Sequence, residues 1–295
     1  MKQYNGPMRF AHRGFNKVAP ENTLHAHSAA IEAGFEGIEI DIRMSKDGRI
    51  VVVHDENLTR MTIGHPTPCI GAVKDMTWEE LSKVELPYAN HLLDEFPEGG
   101  FENEFLAIYP ARLLGQDSRH YYADERKKET RVTHFILFED LVRWFDENTT
   151  TQMMEIEYKA PGMMDALAPI LAGAKARERM ILFSGVREYI NEIQDYYRTH
   201  EKPEGLKLGA NIRRLDDETK EYIKDMDLWE VGLNDRWFGE EEKAYLDARG
   251  IKIFSNLGDY PAWWTRICEL GVAGFKSNYP EEFTEWWQHS KFARD

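Results

Sequence analysis

The chain of 295 residues sets 37 lysines and arginines against 52 aspartates and glutamates, a formal net charge of −15 with neutral histidines. That balance argues against nonspecific binding to nucleic acid or to an anionic membrane surface, both of which are held by clustered basic side chains. The apolar content of 42%, with 12% aromatic residues, argues against disorder even though 30% of the residues are charged.

The length allows one barrel-sized domain or two small ones. Cys69 and Cys268 stand far apart and in no CxxC spacing, so two reduced thiols are expected. The N-terminal residues lack the apolar core of a secretory signal, and no stretch reaches the ~20 apolar residues of a membrane span, so the expectation is a cytoplasmic protein. A small anionic partner is still compatible with the acidity, because a metal ion in one pocket can reverse the field locally.

Strand and helix patterns alternate along the chain. Met8 to Ala11 reads as a strand, Leu24 to Ala33 as a helix closed by Gly34, and Gly37 to Met44 as a strand. After Val51, Val52 and Val53 the rhythm breaks, then resumes with a helical Phe138 to Phe145 and a strand at Met153 to Lys159. Helices at Asp165 to Arg177, Arg187 to Tyr197, Glu218 to Lys224, Glu240 to Arg249 and Ala262 to Leu270 then alternate with strands. Those strands are Met180 to Ser184, Leu206 to Ala210, Glu230 to Leu233, Lys252 to Ser255 and Gly274 to Ser277. About eight strands with intervening helices predict an α/β fold, a (β/α)8 TIM barrel. No GxGxxG follows the first strand, which disfavours a dinucleotide-binding sheet. Residues 85–133 carry scattered aromatics and the basic run Arg126, Lys127, Lys128 without periodicity. They read as an inserted subdomain or lid after the third strand-like segment, within a single domain spanning residues 1–295.

The densest chemistry lies between His12 and Asp55. Strand alternation puts Glu39 and Asp41 on one face, opposite Ile38, Ile40 and Ile42. Two acids on an otherwise apolar strand are costly to bury without a partner, and a divalent cation is the natural one. Hard oxygen ligands favour Mg²⁺ or Ca²⁺ over zinc. Asp47-Gly48 suggests a two-residue hairpin turn, which would pair Asp41 with His54 and gather Glu39, Asp41 and His54 on one face. His12, closing the first strand, is expected at the same barrel rim. Two histidines there could serve as general acid and general base, and Arg13 offers a planar fork for phosphate oxygens.

These residues resemble the glycerophosphodiester phosphodiesterase family. The likeness rests on AHRG at Ala11 to Gly14, APENT at Ala19 to Thr23, GIEIDIRMSKDG at Gly37 to Gly48 and VVVHDENLTRMT at Val51 to Thr62. A second match is FILFEDL at Phe135 to Leu141 followed by MMEIEYK at Met153 to Lys159. The resemblance implies a TIM barrel with an insertion, and Glu157 as a third metal ligand beside Glu39 and Asp41. It also implies Lys159 and Arg13 as substrate contacts, and one divalent cation, with Mn²⁺ as a further candidate. The implied reaction cleaves a glycerophosphodiester to a phosphomonoester such as glycerol 3-phosphate plus an alcohol, with His12 and His54 as acid and base in either order. Such a role belongs to lipid metabolism.

Three alternatives stand beside this reading: a phospholipase D-like enzyme or lyase releasing a cyclic phosphate, a phosphodiesterase of a sugar phosphodiester, and a noncatalytic phosphodiester-binding protein. Late in the chain the likeness weakens. Phe254, Ser255, Asn256, Leu257 and then Gly271, Val272, Ala273, Gly274, Ser277, Asn278, Tyr279, Pro280 lack a tryptophan and two aspartates of the family pattern. These departures leave the head-group preference open. His25 and His27 are expected to be structural or exposed, and Trp263, Trp264, Trp286 and Trp287 to pack helices. Trp237 and Phe238 are candidates for lining a pocket.

Overall fold

The computed structural model describes residues 4–62, 65–88, 130–212, 214–233, 238–255, 259 and 261–293. A strand that alternates isoleucine with acid can bury both faces only if one meets helices and the other meets polar partners. A closed barrel supplies both environments. The strands are β1 (Met8–Ala11), β2 (Gly37–Met44), β3 (Ile50–Val52), β4 (Leu86–Pro87), β5 (Val132–Thr133), β6 (Met153–Tyr158), β7 (Met180–Phe183), β8 (Lys207–Ile212), β9 (Glu230–Leu233), β10 (Lys252–Ser255) and β11 (Gly274–Ser277). Eight of them, β1, β2 and β6 to β11, form a parallel barrel, closed where β1 pairs β2 through Phe10↔Gly37 and β11 through Ala11↔Ser277. This is the (β/α)8 TIM barrel that the alternation predicts.

Helices join successive barrel strands. The first, Leu24–Glu32, begins where the Thr23 side chain accepts the Ala26 N–H and ends before Gly34, whose φ of 78° suits a residue without a Cβ. Phe138–Asn148 turns Phe138, Leu141, Val142 and Phe145 inward, the spacing of one helical face. Trp263, Trp264 and Trp287 are buried between helices, as expected. Trp264 stands edge-on to Phe283, and the Trp263 indole N–H donates to Ser255 Oγ at 2.7 Å.

The barrel interior is layered. At the floor, Phe10 and Phe254 meet edge to face with centroids 5.3 Å apart, and a Cβ on Gly37 or Gly274 would collide with one of these rings. Above them lies a charged layer of Glu39, Glu155, Glu230 and Lys276, all buried. Lys276 Nζ sits 2.9 Å from Glu155 Oε1 and over the Phe183 ring. Burial opposes the Lys276 charge, but Glu155, Glu230 and Glu39 together hold its ammonium up, to about 12. Asp41 and Glu157, cross-strand neighbours in the parallel β2–β6 pair, lie one layer higher at the C-terminal rim.

One expectation changes, at the hairpin. The β2–β3 loop has three residues, Lys46 to Gly48, closed by Ser45 N–H donating to Arg49 O at 2.9 Å. Asp47 does not take the positive φ of a two-residue type I′ turn, and its carboxylate accepts instead from the Ser45 hydroxyl and the Trp78 N–H. Gly48 alone takes φ of 79°. The register is therefore Ile42↔Val52, so Asp41 faces Val53, not His54. Most of the insertion expected over 85–133 lies outside the described residues. Its described flanks meet as an antiparallel pair, Leu86↔Thr133 and Pro87↔Val132.

Candidate active site

The end of β1 departs from ordinary backbone geometry. Arg13 and Gly14 take φ of 58° and 83°, and Asn22 takes 57°. Left-handed conformations at two side-chain-bearing residues persist only where their surroundings over-determine them. Here the partners are acidic. Arg13 N–H donates to Glu39 Oε2 at 3.0 Å, while its guanidinium reaches Glu21 Oε1 at 2.8 Å and Asp41 Oδ2 at 3.4 Å. Asn22 and Asp41 exchange two hydrogen bonds: Nδ2 donates to Asp41 Oδ2 at 2.8 Å, and the Asp41 N–H donates to Asn22 Oδ1 at 3.2 Å.

Glu39, Asp41 and Glu157 each offer an oxygen within 4.8 Å of the others. Burial and the Asp41 and Glu157 carboxylates push the Glu39 carboxyl well above the usual range, and its Oε1 is buried with no hydrogen-bond donor. Burial works the same way at Asp41, but Lys159 and Arg13 outweigh it and hold that carboxyl below the usual range. Lys159 Nζ lies 2.8 Å from Glu157 Oε1 and 3.4 Å from Asp41 Oδ1. Crowded hard oxygens, one of them lacking a donor, fit a divalent cation of the Mg²⁺ or Ca²⁺ type.

His54 reaches the rim by leaving the ladder. Past the end of β3, its carbonyl accepts from Arg43 Nε at 2.7 Å, and its Nδ1 lies 2.6 Å from Asp55 Oδ1. It is close enough to Asp41 and Glu21 for its charge to lower both carboxyls. Asp55 is in turn gripped by Arg60 through two bonds of 2.6 and 2.9 Å, and Arg60 also makes two bonds of 2.8 Å to Glu21. Glu21 thus ties Arg13 to the His54 side of the rim. Its carboxyl, deeply buried, is still held well below the usual range by Arg13 and Arg60.

His12 has different company. Its Nδ1 faces Asn278 Oδ1 at 2.8 Å, and its Nε2 points toward Glu39 Oε2, 4.0 Å away. Burial and the Arg13 charge bring the imidazole down to about 3, against the opposing hydrogen bond that Asn278 Oδ1 accepts. His12 is therefore neutral, with Nε2 turned to the acid cluster.

All seven residues singled out in the sequence, His12, Arg13, Glu39, Asp41, His54, Glu157 and Lys159, lie around this rim. Sequence reasoning missed Glu21, Asn22, Asp55, Arg60 and Asn278 as members of it. The first four stand inside the quoted motifs, and that was the available signal. His27 is buried, and His25 is exposed with its Nδ1 2.7 Å from the Tyr88 hydroxyl. Phe238 is buried; Trp237, Asn256 and Leu257 lie outside the described residues. Both cysteines are free thiols.

Among known proteins, a glycerophosphodiester phosphodiesterase of Caldanaerobacter subterraneus subsp. tengcongensis is 48% identical over 75 residues, which cover 25% of this chain and 29% of that protein. The aligned stretch is thus under a third of the relative's length. Two solved structures share the fold. One is a glycerophosphodiester phosphodiesterase from Thermotoga maritima, with a TM-score of 0.63 and 22% identity over 96% of this chain and 100% of that one. The other is an Oleispira antarctica phosphodiesterase in complex with its product sn-glycerol-3-phosphate, with a TM-score of 0.65 and 17% identity over 95% and 96%. The model of the glycerophosphoryl diester phosphodiesterase family matches residues 12–282, from the first rim histidine to the last helix, and this chain belongs to that family.

Proposed function

We propose that the chain is a phosphoric diester hydrolase that cleaves a small glycerophosphodiester to glycerol 3-phosphate and an alcohol, with one divalent cation held by Glu39, Asp41 and Glu157. The observation that carries this reading is the convergence of those three acids with two histidines and two cations on one barrel rim. The Oleispira neighbour's product complex supports the substrate class.

When bound, the cation supplies charge neutralisation at the phosphoryl oxygens. Arg13 and Lys159 bind and orient the same anionic group, each beside Asp41. His12 Nε2, on a neutral imidazole backed by an amide, accepts a proton from the nucleophile, either water or a neighbouring substrate hydroxyl. His54, backed by the Asp55 carboxylate, carries a proton and delivers it to the leaving oxygen. The rim is reached within one domain, and we retain residues 85–133 as an insertion in it. No described helix is long and apolar enough to cross a membrane; a cytoplasmic enzyme of lipid metabolism is the setting we propose.

The test is turnover of glycerophosphocholine with Mg²⁺, Ca²⁺ or Mn²⁺, followed by phosphorus NMR. Activity abolished by EDTA and restored by one of these metals, with glycerol 3-phosphate as the end product, is expected. Activity that survives both EDTA and His12→Ala overturns the mechanism, and a persistent cyclic phosphate overturns simple hydrolysis.

A further inference from the structure

Asp259 is fully buried, and every hydrogen bond described for it is one it accepts. The Ser277 hydroxyl donates to Oδ1 at 2.5 Å, the Asn278 side-chain amide donates to Oδ2 at 2.9 Å, and the Asn278 backbone N–H lies 3.2 and 3.3 Å from the two oxygens. A carboxylate is acceptor-only, whereas an asparagine amide has one accepting and one donating end. Asp259 therefore dictates which end of Asn278 it receives. The NH₂ is committed to Asp259, so Oδ1 must face the other way.

Two groups meet that oxygen. His12 Nδ1 lies 2.8 Å from it, and Asn16 Nδ2 donates to it at 3.0 Å while also donating to the His12 carbonyl at 3.1 Å. Because Oδ1 can only accept, His12 Nδ1 must carry the hydrogen. The imidazole is then left with a bare Nε2, the nitrogen that points toward Glu39. Backbone geometry fixes the arrangement, since the His12 N–H donates to Ser277 O at 3.0 Å across the β1–β11 pairing, which sets His12 beside Asn278.

We propose that Asp259 is a positioning residue that acts through Asn278 to lock His12 in the Nδ1–H tautomer and present Nε2 as a proton acceptor. The catalytic part of this inference rests on the reading of His12 as the general base. The tautomer lock itself does not.

The arrangement has a cost that favours a role in function. Burial pushes the Asp259 carboxyl up to about 7, against the Ser277 and Asn278 hydrogen bonds that oppose the shift, so the acceptor-only carboxylate that sets the lock is the form present above that pH. A buried acid is expensive to keep for packing alone. If Asp259 is removed, the Asn278 amide loses the acceptor that fixes its NH₂, and only the Asn16 hydrogen bond to Oδ1 opposes its turning over to offer NH₂ to His12 Nδ1. The imidazole would then hold its hydrogen on Nε2, the wrong nitrogen for a base.

The test compares the wild-type chain with Asp259→Ala, Asp259→Asn, Asn278→Asp and the Asp259→Asn/Asn278→Asp exchange. Long-range proton–nitrogen NMR of the imidazoles reports the tautomer, with the His12 signals assigned by their loss in His12→Ala. Wild type is expected to show Nδ1–H at His12, and Asp259→Ala to shift it toward Nε2–H. With glycerophosphocholine, Asp259→Ala should lower kcat about 10- to 100-fold while KM moves less than about 3-fold. Asp259→Asn should retain most activity, because its Oδ1 can still accept from Asn278.

Asn278→Asp alone sets two carboxylates against each other and should be impaired. The exchange restores a donor between them and should recover both tautomer and kcat, which a purely structural role would not predict if folding were the only loss. An Nε2–H tautomer in wild type, or an unchanged His12 tautomer in folded Asp259→Ala, overturns the proposal. Full activity in His12→Ala overturns the reading of His12 as base, and the NMR result then decides the lock separately.

Discussion

The surroundings of His12 and His54 differ in almost every respect, although both imidazoles serve one rim. His12 is buried and meets a neutral amide, whose own partner, Asp259, lies a further side chain away. His54 is part-exposed and meets a carboxylate directly, inside a run of alternating charges from Asp55 through Arg60 and Glu21 to Arg13. The difference teaches how one site can surround two chemically identical side chains so differently that, on the proposed mechanism, they take opposite duties. A buried pocket with an amide favours a neutral imidazole at His12, whereas the Asp55 carboxylate orients the ring that we propose as the acid.

The sharpest way to break that contrast is through the leaving group. His12→Ala and His54→Ala should each lower kcat on glycerophosphocholine by about 10²- to 10⁴-fold, the usual worth of a general acid or base. On a diester with a p-nitrophenolate leaving group, which needs no protonation, His54→Ala should regain most of its rate and His12→Ala should not. Equal recovery by both variants would remove the assignment of base and acid.

A smaller effect is expected one step out from His54. Arg60→Ala frees Asp55 and leaves Glu21 with Arg13 alone, so kcat should fall about 10- to 100-fold and thermal unfolding should report a loss of about 2 kcal/mol. Asp55→Asn should reduce kcat with little change in stability, and the two variants together would show whether the network acts through His54 or only through folding.

Acid provides a third measure. The Glu21 carboxyl is depressed in the folded chain, so its contribution is complete above its unfolded value near 4.5 and is lost as pH falls through the lower, folded one. Denaturant titrations of the metal-free chain from neutral pH downward should show stability declining below about pH 4.5, and Glu21→Gln should flatten that slope. The smallest effect belongs to the layer beneath both histidines. Glu230 is shifted the other way, raised by burial and by Glu155, so its contribution is complete at low pH and is lost as pH rises through the folded value. Glu230→Gln should change neutral-pH stability by less than about 1 kcal/mol, soften the decline that begins above the unfolded value near 4.5, and leave the leaving-group contrast untouched.

Much of this was readable in the chain itself. Period-two alternation in Gly37–Met44 and Met153–Tyr158 announces strands with an acidic inner face, and the helical periods between strands announce the barrel. What stayed hidden depended on contacts across long sequence gaps. Asn278 and Asp259 lie 266 and 247 positions from His12, and nothing local marks their amide and carboxylate as its support. In the sequence, Asn278 reads only as a departure bearing on the head group. The hairpin register failed for a local reason, since the preference of Asp-Gly for a tight turn lost to the bonds that Asp47 makes with Ser45 and Trp78. His54 still reaches the rim because the chain leaves the ladder before it.

The charged layer inside the barrel also bears on how such a chain can change over generations. Gly209 leaves the space that Glu230 fills, since a Cβ there would lie 2.7 Å from the Glu230 side chain, and Lys276 answers Glu155 on the opposite side. A side chain at 209 collides with Glu230, and loss of Lys276 or of Glu155 leaves a buried charge without its nearest partner. Drift at these positions should therefore be concerted, with an apolar residue at 276 accompanied by loss of an acid at 155 or 230, and a larger residue at 209 by a smaller one at 230. The barrel's charged interior should therefore change as a set, whereas exposed helix positions meet no such constraint.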